Sequence, residues 1–194
     1  MNKKQLRKLY IKKRAALTME QCHTMSVAIA DNFFNYIELP LLNPIYLHLF
    51  LPIRGKKEVD TFIILDRILA DYPNIKIALS KSNFTNYSMQ FYEFTKETIL
   101  IENTYGIPEP AAGNLIKPEQ LDFVLIPLLV VDEAGNRIGY GKGFYDRFLA
   151  NCRADCKKVG LFFEKSIPLI KVDEFDVPLD FCITPDKVYG FGLA

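Results

Sequence analysis

The sequence predicts an α/β protein: a single three-layer α/β/α domain over residues 1–194 with a mostly parallel central sheet. Short apolar runs of strand length alternate with helical patterns, as expected when helices cover both faces of a sheet. Residues 121–131 are almost wholly apolar, which is how a strand buried on both faces reads. No repeat, low-complexity tract or long linker divides the chain.

Residues 3–16 fit a helix with Leu6, Leu9 and Tyr10 on one face and Leu17 just beyond. Thr18 with Gln21 three residues on makes a capping box, opening a second helix that runs to about Tyr36. Pro40, Asn43 and Pro44 break it. Residues 45–51 read as a strand, followed by a loop through Pro52, Gly55 and two lysines. Asp60 or Thr61 then caps a helix that turns Phe62, Ile64, Leu65, Ile68 and Leu69 inward, and Pro73-Asn74 ends it. Residues 75–79 and 89–94 are further strands, and 103–113 is a loop rich in Pro and Gly. After 121–131 come a glycine-rich loop, a helix over 144–152, and short strands at 159–163, 181–184 and 188–191. Ligands in such folds gather beyond the carboxyl ends of the strands, where the glycine loop lies.

Composition narrows the function. Charged residues are 24% and net charge is +1, so no global field recruits nucleic acid or an anionic membrane. No apolar run reaches the ~18 residues that span a bilayer. Cys22, Cys152, Cys156 and Cys182 form no Cys-x-x-Cys pair, and with only His23 and His48 beside them a zinc site is not expected. Free thiols fit a reducing cytoplasm. The basic N-terminus lacks the apolar stretch of a secretory signal, and residues 1–17 lack the serines of an organellar presequence. The expectation is a cytoplasmic monomer.

Residues 137–147 read Arg-Ile-Gly-Tyr-Gly-Lys-Gly-Phe-Tyr-Asp-Arg. Without Cβ atoms, Gly139, Gly141 and Gly143 let backbone N–H groups close around phosphate oxygens. The helix that follows adds its positive end. Lys142 offers a mobile point charge, Asp146 an oxygen ligand for Mg2+, and Tyr140, Phe144 and Tyr145 can wall a flat ring. Asn136 and Gly143 break the Walker pattern, and the third glycine comes one residue early for the dinucleotide fingerprint. On spacing alone a glycine-rich turn with a solvated lysine is the plainer reading. The charges and three aromatics gathered beside the glycines favour a phosphate site.

This string closely resembles the signature of the 5-formyltetrahydrofolate cyclo-ligase family, also called methenyltetrahydrofolate synthetases. Lys3 and Arg7 are similar to the family's N-terminal Lys-x-x-x-Arg, and Glu58-Val-Asp-Thr61 to its Glu-Val-Asp-Thr element. Tyr105-Gly-Ile-Pro-Glu-Pro110 resembles its Gly-Ile-x-Glu-Pro loop, and Asp176-Val-Pro-Leu-Asp180 its C-terminal Asp-x-x-x-Asp. All stand in family order. Two departures matter: Phe144 lacks a hydroxyl that many relatives carry there, and Tyr140 stands where some relatives have Arg.

The resemblance implies ATP-dependent conversion of 5-formyltetrahydrofolate to 5,10-methenyltetrahydrofolate. The γ-phosphoryl group passes to the formyl oxygen, N10 attacks the activated carbon, and ADP and phosphate leave. Mg2+, ATP as co-substrate, and a folate with or without a polyglutamate tail are implied, with no nucleic acid and no membrane. Lys142 and Arg137 would carry the transfer. Lys3, Lys4, Gln5, Leu6 and Arg7 would bind ATP together with Arg137, Ile138, Gly139, Tyr140, Gly141, Lys142, Gly143, Phe144 and Tyr145. Ile53, Glu58, Tyr105, Tyr140 and Phe144 would hold the folate, and Asp146 and Asp176 the metal, with Asp180 structural.

Each residue also has a plainer reading. Lys3 and Arg7 share a helix face that can be merely solvated. Glu58 can be a helix-start charge, Tyr105 a loop pin, Asp176 a turn residue, and His48 a satisfied core histidine. Two rival functions are a sugar-phosphate isomerase on a similar frame and a nucleic-acid binder using the basic first helix, although no second basic patch completes that footprint.

Overall fold

The computed structural model describes residues 1–40, 43–53 and 55–192. Its helices are α1 (Lys3–Ala16), α2 (Met19–Tyr36), α3 (Phe62–Asp71) and α4 (Phe144–Leu149). The strands are β1 (Ile45–His48), β2 (Ile75–Asn83), β3 (Ser88–Glu93), β4 (Leu100–Glu102), β5 (Pro108–Pro110), β6 (Leu115–Ile116), β7 (Leu121–Pro127), β8 (Val130–Val131), β9 (Arg137–Ile138), β10 (Lys157–Leu161), β11 (Phe181–Ile183) and β12 (Val188–Gly190). One eight-stranded sheet runs in the order β12-β11-β10-β7-β1-β2-β3-β6. From β11 through β2 every pairing is parallel, and the edges β12, β3 and β6 join antiparallel. The architecture is the expected α/β class with a mostly parallel sheet.

Helices α2 and α3 pack Ile29, Phe33, Ile64 and Ile68 against one face of the sheet. Helices α1 and α4 pack Leu6, Tyr10, Phe148 and Leu149 against the other. The alternation of β7 serves both layers: Phe123 and Leu125 face the first, Val124 and Ile126 the second. Burying each such side chain contributes about 1.5–3 kcal/mol. Both N-terminal helices open with capping boxes, Asn2 with Gln5 and the expected Thr18 with Gln21.

Several boundaries differ from the sequence reading. Residues 121–131 are two strands, because Pro127 has no N–H to continue the ladder. Beyond it Val130–Val131 folds back on Arg137–Ile138 as a hairpin, so the glycine loop follows β9 rather than the long strand directly. β1 stops at His48, although Leu49–Leu51 stay buried. α4 ends at Leu149, short of 152. The 103–113 loop is largely a hairpin, with β4 and β5 flanking a turn. Phe62 and Leu69 are exposed rather than inward, because they lie together on the flank of the arc formed by Ile64, Leu65 and Ile68. Leu9 likewise falls outside the buried stripe of α1. Thr61 does not cap α3 with its side chain; its hydroxyl donates to the Phe50 carbonyl, and Asp60 Oδ1 accepts the Phe62 N–H at 3.2 Å.

The order β10-β7-β1-β2 places the site. From β1 the chain crosses to β2 on one side, and from β7 to β10 on the other. Loops leaving the carboxyl ends of β1 and β7 therefore part, and a crevice opens between them.

Candidate active site

A cavity of about 500 Å3 fills that crevice. Residues 49–51, 53, 56 and 58 after β1 and 137–146 after β8 border it, with α1 and the turns at 84–87 and 105–108.

The glycine loop is fixed by its flanks. Pairing with β8 buries Ile138 in the core and leaves Arg137 9% exposed. Gly141 takes φ +87°, where a side chain is strained, and a Cβ there would stand 2.8 Å from the Arg7 guanidinium carbon. Glycine at 141 therefore makes room for Arg7, whose Nε donates to the Gly139 carbonyl at 3.1 Å. Gly143, at φ +69°, sits against Arg147 in the same way. Lys142 between them is exposed on the cleft.

Helix α1 brings two of its five candidates to the site. Lys3 and Arg7, one turn apart, line the cavity. Lys4 and Gln5 are instead exposed, with Gln5 engaged in the Asn2 capping box, and Leu6 is buried in the core. The Lys3 ammonium pairs with Asp173 at 2.6 Å and with Asp176. Burial opposes its charge, but the bonds to Asp173 and Asp176 prevail and raise its pKa. The same bond to Lys3 lowers the pKa of Asp173.

Arg137 is a brace. One nitrogen donates to Asp146 Oδ1 at 2.7 Å and another to the Val177 carbonyl, tying the loop to α4 and to residues 173–177. Burial lowers its pKa, opposed by the charges of Asp146 and Asp176. Both of those carboxylates line the cavity. Asp146 Oδ1 also lies 3.4 Å from the Val177 N–H, and Asp176 Oδ2 accepts the Asp173 N–H at 2.8 Å.

The floor is polar and held from several sides. Glu58 is 7% exposed; its Oε2 accepts the Ile53 N–H at 2.7 Å and its Oε1 the Tyr140 hydroxyl at 2.6 Å. Arg14, which the sequence reading overlooked, donates to that hydroxyl and stands 3.9 Å from Glu58 Oε1. Burial, then the Glu58 charge, pushes the Tyr140 phenol above its ordinary pKa, so it stays a donor at neutral pH. Position offered a signal: Arg14 lies two turns beyond Arg7 on the same helix face.

An aromatic wall closes the other side. Tyr105 stacks on Phe84 with ring centroids 4.1 Å apart, and Phe84 meets Phe144 edge-on at 5.2 Å. Asn103 Oδ1 shapes the Tyr105 turn by accepting the N–H groups of Tyr105 and Ile107. Phe84 and Tyr87 were also overlooked; two aromatics in a polar turn between strands are the signal.

His48 lies below the site, fully buried against Phe91, Tyr145 and Phe148. Desolvation pushes its pKa down to about 3, partly opposed by the Leu125 backbone. It is a core histidine but not a satisfied one: among the described residues neither ring nitrogen completes a hydrogen bond of normal geometry.

The sequence profile of the 5-formyltetrahydrofolate cyclo-ligase family matches residues 1–185. The 5-formyltetrahydrofolate cyclo-ligases of Haemophilus influenzae and of Escherichia coli K12 are each 28% identical over 181 residues, spanning 91% of this chain and 94% and 97% of their own. The solution structure of Aquifex aeolicus 5,10-methenyltetrahydrofolate synthetase superposes with a TM-score of 0.82 at 28% identity, over 100% of this chain and 95% of its own. The fold is shared as well with the 5,10-methenyltetrahydrofolate synthetase of Mycoplasma pneumoniae, with a TM-score of 0.76 at 24% identity over 95% and 99% of the two chains.

Proposed function

The chain belongs to the 5-formyltetrahydrofolate cyclo-ligase family, and from that premise we propose that it makes 5,10-methenyltetrahydrofolate from 5-formyltetrahydrofolate and ATP in the cleft between β1 and β7. It is a ligase that closes a ring through a C–N bond. The observation that carries the ATP-dependent reading is the meeting of Lys3, Arg7 and Lys142, from distant parts of the chain, beside three glycines in one cavity that also holds an aromatic wall.

In this reading the triphosphate lies along Arg7, Lys142 and the loop amides, and the flat pterin lies against Tyr105 and Phe144, with Glu58 and Ile53 below. An amide-like formyl oxygen is a poor leaving group, and phosphorylation makes it a good one. No protein nucleophile is required. The protein's work is positioning and charge stabilisation. Lys142 meets the charge that spreads over the transferred group. Arg137 acts from behind, fixing Asp146 and the loop. Glu58, gripped by Arg14 and the Ile53 amide, presents a fixed acceptor to the substrate's ring N–H groups. The enzyme is taken as a single-domain cytoplasmic monomer.

Magnesium fits the donor chemistry. It favours one or two carboxylates together with substrate phosphates. Asp146 and Asp176 each give one oxygen to protein hydrogen bonds, and the other oxygen makes none among the described residues. No cluster of three or more His, Cys, Asp or Glu suited to a metal occurs among the described residues, so the ion would arrive with the nucleotide rather than in an all-protein cage. Bound there, it would neutralise phosphate charge.

The test is growth of methenyl absorbance in the near ultraviolet on mixing enzyme with 5-formyltetrahydrofolate. It should require ATP and release ADP in equal amount. Product formed without ATP, or ATP hydrolysis indifferent to the folate, would remove this reading.

A further inference from the structure

The tip of the β2–β3 hairpin, residues 84–87, leaves the sheet and reaches the cleft with two aromatic side chains, Phe84 and Tyr87. Phe84 belongs to the aromatic wall. Tyr87 faces the cations. The Lys142 ammonium lies 5.6 Å from the centre of its ring, and the Arg147 guanidinium 5.7 Å. The Phe144 ring meets it edge-on at 5.6 Å. Three side chains from the glycine loop and α4 thus converge on one ring from a separate element.

Both cationic contacts fall within the ~6 Å over which a ring face attracts a cation. Arg147 also donates to the Lys142 carbonyl at 2.8 Å and fills the space beside Gly143. The ring therefore backs the Lys142 side chain directly and its backbone through Arg147. The turn is bent to place it there: Tyr87 takes φ +57°, a conformation uncommon for a residue with a Cβ. Left-handed residues of this kind cluster where a structure holds a ligand clamp.

We propose that Tyr87 is a positioning residue for the phosphate-binding lysine: its ring backs Lys142 directly and through Arg147, so that an incoming triphosphate meets an ammonium already held over the cleft. The inference rests on the phosphate role proposed above for Lys142. An ammonium carries three donors, so the ring can take one side while phosphate oxygens take the others. A free lysine stem loses rotamer freedom on binding, and the ring removes part of that freedom beforehand. The contact uses the face of the ring, so the phenol hydroxyl is dispensable.

Calorimetric titration with magnesium tripolyphosphate tests this in wild type, Tyr87→Asn, Tyr87→Phe, Lys142→Ala and the Tyr87→Asn/Lys142→Ala double variant. Asparagine tolerates positive φ, so it removes the ring without straining the turn. Tyr87→Asn should weaken binding about two- to five-fold. Tyr87→Phe should restore it, and on the Lys142→Ala background the Asn substitution should have no effect. Wild-type affinity in Tyr87→Asn, the same loss with and without Lys142, failure of Phe to rescue, or no binding by wild type would each overturn the inference. The probe contains no folate and no nucleoside. ATP-dependent product formation by wild type therefore tests the proposed reaction separately.

Discussion

The cationic wall of the cleft comes from two short segments, the first turns of α1 and residues 137–147, whereas the aromatic wall joins two separate turns, at Phe84 and at Tyr105, to Phe144 at the start of α4. Behind the first wall is a tight mesh of ion pairs: Arg137 with Asp146, and Lys3 with Asp173 and Asp176. The second is held by ring contacts, and Tyr105 within it is 58% exposed. Under the proposed reaction the difference follows from what each would bind. Charge transferred between oxygens needs donors fixed in advance, because reorganising them during the reaction raises the barrier. A flat ring needs only matching faces, which exposed aromatics supply with latitude. Tyr87 stands at the seam: it shares a hairpin tip with Phe84, but its ring faces Lys142 and Arg147.

Breaking the cationic wall should have the largest effect. On the proposed reaction Lys142→Ala removes a donor aimed at the transferred group, and kcat for methenyl formation should fall about a hundred- to a thousand-fold. The affinity for 5-formyltetrahydrofolate should change far less. Lys142→Arg should not restore full rate, because a planar fork does not replace a point charge between two glycines. Near-normal kcat in Lys142→Ala would make the lysine a surface charge and remove phosphoryl transfer from this loop.

The support behind that wall comes next. Asp146→Asn leaves the Arg137 guanidinium, whose side chain is 6% exposed, without its charge partner. Breaking a fully buried pair costs about 3–5 kcal/mol. Asp146 is 30% exposed, and solvent reduces the loss to roughly 2 kcal/mol. The urea midpoint should drop accordingly with circular dichroism unchanged, while the magnesium needed for half-maximal rate rises. Lower stability with unchanged magnesium dependence would make Asp146 a brace alone.

The aromatic wall should respond differently. Phe84→Ala and Tyr105→Ala should each raise the KM for 5-formyltetrahydrofolate about ten-fold, with little change in the KM for ATP. Because the two rings stack, the double variant should be less than additive, with a coupling of about 1 kcal/mol. A change in the ATP constant instead would assign this wall to the nucleotide base.

The same contrast explains what was legible in the sequence. The cationic wall could be read because its residues sit close together along the chain: Arg137 to Asp146 within one short segment, Lys3 and Arg7 about one helix turn apart. The parallel core was legible through the apolar run of β7 and the paired helix signals. Phe84 and Tyr87 were less so: two aromatics in a polar turn mark the turn, but not the cleft it meets, which is set by β2 and β3 bringing it against α4. Arg14 shares the Arg7 face of α1, but its partners Glu58 and Tyr140 are remote in sequence, so its place in the site was not legible. Pro127 carried a correct signal that the strength of the apolar run obscured. Leu6 shows the converse: within a family segment read whole, one side chain builds the core.

The smallest expected effect lies at the far end of the cationic wall. Lys3 is already spent on Asp173 and Asp176, so contact with phosphate would exchange partners rather than add one. Lys3→Met should therefore raise the KM for ATP only about two- to three-fold, in contrast to Lys142→Ala. Its effect on stability has a pH signature. The folded pKa of Lys3 is raised above 10.5, so its contribution is complete below that value and is lost as pH rises through the folded one. The folded pKa of Asp173 is lowered below 3.8, so its contribution is present above that value and is lost as pH falls through the folded one. Between these limits the pair is intact. Thermal melts should show Lys3→Met below wild type by about 1–4 °C, constant across neutral pH. The gap should close as pH falls below 3.8 and again as it rises past 10.5. A gap that varies between about pH 5 and 9 would mean that a different group, titrating in that range, governs the contact.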